Sequence, residues 1–312
     1  MNNKIARFLK EPKRYISKII YKYFSWLLSD KQYLKAQFLY KFGYPLDLES
    51  PKTFCEKLQW LKLYDRNPKY TTMVDKYEVK KYVAEIIGEE YIIPTLAVWD
   101  KPQDIDWNTL PNQFVLKTTH GGGGNGVIIC KDKELLDKRA IIKQLESSLD
   151  KDIYKEFREW PYKNVPKRII AEKFMAPEKG QSDLTDYKIY CFNGSPQLIM
   201  VAGGRYSGDK RFAYYDTNWN VVDITWGAPR PDKEFDKPAQ LSNMLKVASQ
   251  LSKDMIHVRI DLYCIENNIF FGEITFFDSS GFEAITPANM DEYLGSLIKL
   301  PAKQQRAGMV NI

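Results

Sequence analysis

The sequence predicts an α+β protein, and three observations carry that prediction. Helical periodicity dominates the first ninety or so residues. Two short apolar runs then flank a glycine-packed loop between Gln113 and Cys130. Later, two alternating hairpins follow one another, Asp186–Gly203 and His257–Phe277, with a helical stretch near Leu241–Met255 between them. A chain of 312 residues with 44% hydrophobic and 14% aromatic content can bury a substantial core, and its length suggests two or three compact units.

The N-terminal arm is basic. Residues 1–41 carry ten Lys or Arg side chains against Glu11 and Asp30, a balance of +8, which leaves −2 for the rest of a chain whose net charge is +6. The body is therefore almost neutral, which argues against generic nucleic-acid binding. At 100° per residue Ile16, Ile20, Tyr23 and Leu27 share one face of a helix, with Arg14, Lys18, Lys22, Ser25 and Ser29 opposite. Lys22 interrupts the one candidate core of a signal peptide, and no apolar run reaches the length of a membrane span. Two readings of residues 1–30 stay open: an amphipathic helix on an anionic membrane surface, or a helix packed on the body with a solvated basic face.

Beyond the arm, Leu58–Tyr64 and Thr72–Ile87 read as helices, the second stopped by Gly88. Ile92–Trp99 holds a short extended element that tolerates Pro94 only at an edge. Residues 101–112, rich in Pro and Asp, mark a boundary. Asp132 offers an N-cap for a helix to about Leu149, with Leu135, Ile142, Leu145 and Leu149 on one stripe. Ile169–Ala171 is a strand that Glu172–Met175 leaves, and Asp186–Asn193 meets a turn at Asn193–Gly194.

Composition also narrows the chemistry. Four scattered cysteines (Cys55, Cys130, Cys191, Cys264) make neither a disulfide framework nor a zinc site, so a reducing cytoplasmic compartment is expected. Two histidines, His120 and His257, cannot build a multi-histidine centre, which leaves oxygen ligands and points to magnesium.

The stretch VLKTTHGGGGNGVIIC is the most informative. Gly121, Gly123 and Gly126 satisfy G-x-G-x-x-G, but the loop opens a β-branched run rather than a helix, so the dinucleotide reading fails. No Gly-Lys-Ser/Thr follows, and the lysine precedes the loop, which sets aside P-loop and kinase readings. What remains is a glycine hairpin able to close over phosphate, with Lys117 at its root. A ligand-free glycine hairpin is the plainer alternative. In the last hairpin, Arg259, Asp261 and Tyr263 share a face, and a three-residue loop Glu266–Asn268 would set Asp261 opposite Glu273. Two carboxylates on one face suit magnesium bridging phosphates, and a salt-bridge ladder with Arg259 is the plainer alternative.

Taken in order, VLKTTHGGGGNG, IIAEKFM, DYKIYCFNG, VRIDLY and FGEITFFDSSGF resemble the TupA-like (teichuronopeptide-biosynthesis) branch of the ATP-grasp superfamily, from about Phe54 to Leu300. The resemblance implies an ATP-grasp fold, two α+β subdomains gripping ATP behind a helical N-terminal region. It suggests an arm over 1–50, an α/β region over 51–112, a lid-bearing subdomain over 113–175, a magnesium-bearing subdomain over 176–300 and a tail over 301–312. It further implies that Lys117 meets the α/β phosphates beneath a lid of Gly121, Gly122, Gly123, Gly124 and Gly126. Glu172, Lys173, Phe174 and Met175 would be the hinge carrying adenine through its backbone. Asp186 and Lys188 would contact ribose or the terminal phosphates, and Asp261 and Glu273 would hold Mg2+. Thr275 stands where many relatives have asparagine, which puts a third metal ligand in doubt. Arg259, with Arg205 and Arg211, would anchor an acyl phosphate or a carboxylate.

The activity implied is an ATP-dependent carboxylate–amine ligase of cell-surface polysaccharide synthesis, releasing ADP and phosphate. It would join a uronic-acid-type carboxylate on a glycan or lipid-linked glycan to an amino acid or amine. The protein would be cytoplasmic, or peripheral on the inner face of the membrane if the arm binds lipid. A glycosyltransferase, an ATP-dependent phosphotransferase and a non-catalytic nucleotide-binding partner remain as rivals.

Overall fold

A computed structural model describes residues 10–122, 126–177, 184–204 and 210–301. Helix α1 (Pro12–Tyr23) leads into α2 (Asp30–Phe42), which opens on a Ser29/Gln32 capping box and ends on Gly43 in the left-handed region (φ 83°). Helix α3 (Phe54–Tyr64) opens on a second capping box, Thr53/Glu56, and is buried along most of its length. Where the sequence suggests one helix over Thr72–Ile87, there are two, α4 (Lys69–Val74) and α5 (Glu78–Ile87). The break is Asp75. Its buried carboxylate accepts from the amides of Tyr77 (2.8 Å) and Glu78 (3.2 Å) and from the Arg168 guanidinium (2.8 Å). Those bonds compete with helix continuation at this point, and they turn Lys76 inward.

The first sheet has the order β1-β4-β2-β3, all antiparallel: β1 (Thr95–Trp99), β2 (Phe114–Thr118), β3 (Val127–Cys130) and β4 (Ile169–Lys173). Helix α6 (Lys138–Leu149) covers it. Asp137 caps that helix, while Asp132 caps only a single turn of 3-10 helix, Lys133–Leu135. The stripe facing the sheet is accordingly Ile141 and Leu145 rather than Ile142, and Leu135 is exposed. A five-residue helix α7 (Ile153–Phe157) sits in the connection from α6 to β4.

The second sheet, β7-β6-β5-β8-β9, is also antiparallel: β5 (Asp186–Phe192), β6 (Ser195–Gly203), β7 (Arg211–Tyr215), β8 (His257–Ile265) and β9 (Asn268–Thr275). Asn193 and Gly194 make the expected two-residue turn, both at positive φ (51° and 77°). Helices α8 (Leu241–Leu251) and α9 (Ala288–Leu297) follow β7 and β9. The main core joins this second sheet to α2–α5, α8 and α9, through Phe38, Phe54, Trp60, Ile189, Val258 and Leu262 among others. A smaller core, with Phe114, Leu116, Leu145 and Ile169, belongs to the first sheet. A cleft lies between the two sheets and is lined by residues of both.

The arm departs from the reading in which the apolar face packs on the body and the basic face is solvated. Helix α1 packs on α2 through its polar side: Arg14 donates to the carbonyls of Tyr40 (2.7 Å) and Lys41 (3.1 Å), Ser17 is buried, and Tyr21 meets Tyr33 edge-on at 5.8 Å. Part of the basic face is thus the packed face, and Ile16, Ile20, Tyr23 and Leu27 are exposed.

Candidate active site

The chemistry-bearing residues of the second sheet fall into two rows across three strands. Lys188 of β5 is paired with Asp261 of β8, which is paired with Glu273 of β9. One step along, Tyr190, Arg259 and Thr275 form the parallel row. Strand alternation places all six on one face, since Ile189, Ile260 and Ile274 fill the core on the other. Lys188 bonds Asp261 and lies 2.6 Å from Asp186. Arg259 grips Asp261 through Nε (2.7 Å) and a terminal nitrogen (2.8 Å), reaches Thr275 Oγ1 (3.1 Å) and Glu273 (3.3 Å), and bonds Asp278. Tyr190 donates to the other oxygen of Asp278 at 2.7 Å. Burial pushes the Asp261 carboxyl up, to about 6, against the pull of Arg259 and Lys188. Lys188 is also buried, but Asp186 and Asp261 outweigh that burial and raise its ammonium above the ordinary value.

The opposition of Asp261 and Glu273 is reached by a different route from the one the sequence suggests. The β8–β9 turn has two residues, Glu266 and Asn267, both at positive φ (49° and 62°), and Ile265 pairs with Asn268. That register alone would pair Asp261 with Gly272 and send Glu273 to the core face. A β-bulge at Gly272 restores it. A Cβ there would sit 3.0 Å from the Asp261 carbonyl oxygen and 3.2 Å from the Tyr263 ring. The glycine therefore admits the bulge and keeps the cleft beside it open.

The first sheet supplies the opposing wall. Lys117, near the end of β2, pairs with Glu172 of β4, and Lys80 of α5 reaches the same carboxylate at 2.7 Å. Burial alone would raise the Glu172 carboxyl, but the two ammonium groups outweigh it and hold it below its ordinary value of 4.5. Glu172 is thus a buried anchor for two lysines. Its backbone lies within the central strand, paired with Thr95 on one side and Val115 on the other, and the Lys173 amide bonds Pro94. Of the segment Glu172–Met175 expected to be a hinge, Glu172 and Lys173 are therefore strand residues, and Phe174 and Met175 follow the strand half-buried. Gly123 and Gly124 lie outside the described residues. At Gly121 and Gly126 a Cβ would collide with the Thr118 hydroxyl, which requires glycine at both ends of the loop. Lys76 connects the walls, bonding the Gly121 carbonyl and standing 3.6 Å from Glu273.

Two connected spaces lie between the walls. A narrow one of about 70 Å³ is bordered by Lys76, Lys117, Gly121, Asp186, Lys188 and Glu273. A larger one of about 640 Å³ shares Lys188, Glu273, Gly121, Gly122 and Gly126 with it, and extends over Phe212, Tyr214, Trp226 and Phe277. Arg211 alternates away from it, because Lys210, Phe212 and Tyr214 are the β7-side residues that border the space. Arg205 lies outside the described residues. At the far side Glu159 accepts from Ser280, while fully buried Lys62 donates to Gln59 (3.0 Å) and to the carbonyls of Phe157 (3.0 Å) and Ser280 (2.7 Å). Burial pushes Glu159 up and Lys62 down, both to about 7. Ser279, Ser280 and Gly281 are all left-handed (φ 45°, 55° and 62°), a strained run held by Lys62 and Gln59 at its carbonyls.

Lys76, Lys80, Asp278, Glu159 and Lys62 were not among the residues singled out from the sequence. Asp278 alone had a local signal, in the polar FFDSSGF stretch after β9. The metal question turns on donor chemistry. Among the described residues no group of three or more His, Cys, Asp or Glu side chains forms a metal centre. The oxygen donors are the carboxylates of Asp261 and Glu273 with the Thr275 hydroxyl. Such donors suit magnesium, which is held by one or two carboxylates together with substrate phosphates rather than by a protein cage. Glu273 is the more exposed of the two, both oxygens of Asp261 accepting from Arg259 and Lys188.

Comparison with known proteins places the chain in a family and finds several structural likenesses. No curated protein is significantly similar to the chain. Among solved structures it is similar to D-alanine–D-alanine ligase from Bacillus anthracis, at 19% identity and a TM-score of 0.39, covering 66% of this chain and 57% of that one. The chain thus spans little more than half of that enzyme. It is also similar to the Helicobacter pylori D-alanine–D-alanine ligase (14% identity, TM-score 0.43, covering 80% and 70%). A RimK domain ATP-grasp protein from Sphaerobacter thermophilus matches at 11% identity with a TM-score of 0.42, covering 75% and 69%. The decisive match is to a family, TupA-like ATPgrasp, over residues 56–299, which takes in both sheets, the glycine loop and the two cross-strand rows. With most of its length matched, the chain belongs to the TupA-like ATP-grasp family.

Proposed function

We propose that the protein is an ATP-dependent carboxylate–amine ligase that works through an acyl phosphate, acting on a uronic-acid-type carboxylate of a glycan or lipid-linked glycan in cell-surface polysaccharide synthesis. The observation that carries this is the meeting of two spaces at one charged row. The narrow cleft, with Lys117, Lys76 and Lys188, suits the phosphates of ATP, and the larger pocket suits an acceptor. They share Lys188, Glu273, Gly121, Gly122 and Gly126, so a γ-phosphate leaving the first would arrive at the mouth of the second. Asp261, Glu273 and Thr275 would hold Mg2+, which supplies neutralisation of the phosphate charge. Arg259 and Lys188 would then stabilise the charge developing on the transferred phosphoryl group. Phe174 and Met175 remain the segment proposed for adenine. The aromatic wall of Phe212, Tyr214, Trp226 and Phe277 favours a ring-bearing acceptor such as a sugar.

Reaction type is tested by products. Turnover of candidate uronic-acid acceptors with ATP should release ADP and phosphate in equal amounts, and hydroxylamine should trap the activated carboxylate as a hydroxamate. AMP as product would sink the proposal, and so would ADP with a stable phosphorylated acceptor and no coupled product. Site geometry gives a second test. Gly272→Leu should fill the narrow cleft and weaken binding of a non-hydrolysable ATP analogue at least about tenfold, because the side chain takes the space proposed for the phosphates and crowds the groups around it. Unchanged affinity by calorimetry would place the nucleotide elsewhere.

A further inference from the structure

Helix α1 is amphipathic the wrong way round for a helix of a soluble surface. Such a helix ordinarily buries its apolar stripe and exposes its charges. Here Arg14, Ser17 and Tyr21 face α2, and Lys18 lies over the Tyr40 ring at 4.7 Å. Outward point Ile16, Ile19, Ile20, Tyr23, Phe24 and, past the helix end, Trp26 and Leu27. Trp26 is 77% and Tyr23 64% exposed, and most of the large exposed apolar residues among those described lie in this one segment. A contiguous patch of this kind marks an interaction surface.

We infer that this face docks on an anionic lipid surface. Charge selects the occupant. Lys10, Lys13 and Lys22 are exposed on the same segment, and Lys31 and Lys35 on α2 follow it, whereas Glu11 is paired with Arg14 and Asp30 with Arg66 and Arg158. The patch therefore carries an excess of unneutralised positive charge beside its apolar residues. A second copy would bring like charges together, but a negatively charged headgroup layer would meet both chemistries at once. Composition agrees: Trp and Tyr favour the headgroup level, Ile and Leu the acyl boundary, and lysine stems can reach outward from it. Among the described residues no helix is long and apolar enough to cross a membrane, so the contact proposed is with the surface. The helix needs no refolding to make it, because α2 already holds α1 with its apolar face outward.

The test uses the full chain and vesicles, without nucleotide, so its outcome is independent of the ligase proposal. Co-sedimentation at low salt with vesicles of mixed phosphatidylglycerol and phosphatidylcholine should recover most of the protein, and vesicles of phosphatidylcholine alone should recover little. The triple variant Ile16→Ser/Ile20→Ser/Trp26→Ser should lose association by about tenfold or more, with an unchanged melting temperature because these side chains are exposed. Lys13→Gln/Lys22→Gln should weaken binding and flatten its salt dependence. No binding to the anionic vesicles at low salt would overturn the inference. So would equal binding to both compositions, or self-association in light scattering that the triple variant abolishes while vesicles are ignored.

Discussion

Asp261→Ala is expected to abolish nucleotide turnover and to lower the melting temperature, by two separate routes. The carboxylate is buried between Arg259 and Lys188, so its removal leaves two cations short of a partner in a low-dielectric site. Breaking a buried pair in this way costs about 3–5 kcal/mol. The catalytic loss comes from the phosphate side, where misplacing a charged group commonly lowers turnover by about 10²–10³. The effects separate in a second variant. Asp261→Asn keeps the side-chain volume and one acceptor oxygen while removing the charge. It should recover much of the melting temperature and none of the turnover. Calorimetric melting and ADP release measure both, and an Asp261→Ala protein as stable as the parent would mean that Arg259 and Lys188 are balanced by other groups.

Lys117→Ala should weaken binding of an ATP analogue strongly and leave the fold intact. A hydrogen bond to a charged group contributes about 1.5–3 kcal/mol, or roughly ten- to a hundredfold in Kd. The fold survives because Lys80 still neutralises Glu172 at 2.7 Å. Replacing both lysines should do what neither does alone, leaving Glu172 as a buried anion without a cation. The pH dependence has a definite sign. The two lysines hold the folded Glu172 carboxyl below its ordinary value of 4.5, so the stability they confer is present above that value and is lost as pH falls through the folded one. The parent should therefore gain stability over the double variant near neutrality, and the two should converge in acid. Parallel melting curves across that range would contradict the assignment of Glu172 as their shared anchor.

Much of the second sheet was legible because strand alternation is a local signal. HVRIDLYCI declares which residues face the core and which face the site, and Asn193–Gly194 declares its turn. The glycine loop was legible for a similar reason, since only the missing Cβ lets Gly121 and Gly126 lie against Thr118. What escaped was whatever depends on residues far apart in sequence. Lys76 and Lys80 carry no local signal within Thr72–Ile87, and it is the Asp75–Arg168 bond, ninety-odd residues in span, that breaks the helix and turns Lys76 toward Glu273. Glu172 followed the same pattern, looking like the start of a hinge when its neighbours on both sides are strands. Arg211 failed by a parity of one, the cavity-side cation being Lys210. The arm was read correctly as amphipathic, but periodicity cannot say which face a helix turns inward, and hydrogen bonds from Arg14 to α2 decided that.

The bulge at Gly272 makes the last hairpin a ruler with two independent scales. Residues from Ile265 to Leu262 are counted from the turn, whereas those from Asp261 onward are counted from the glycine. Turn chemistry and carboxylate placement can therefore drift apart in descent without either spoiling the other, provided that every change of parity at the tip is matched at position 272. Grafting a three-residue loop onto this hairpin would accordingly need one residue fewer at the bulge. In an ungapped comparison of the two hairpins Glu273 would keep its place, and only the residues between the tip and the bulge would shift by one.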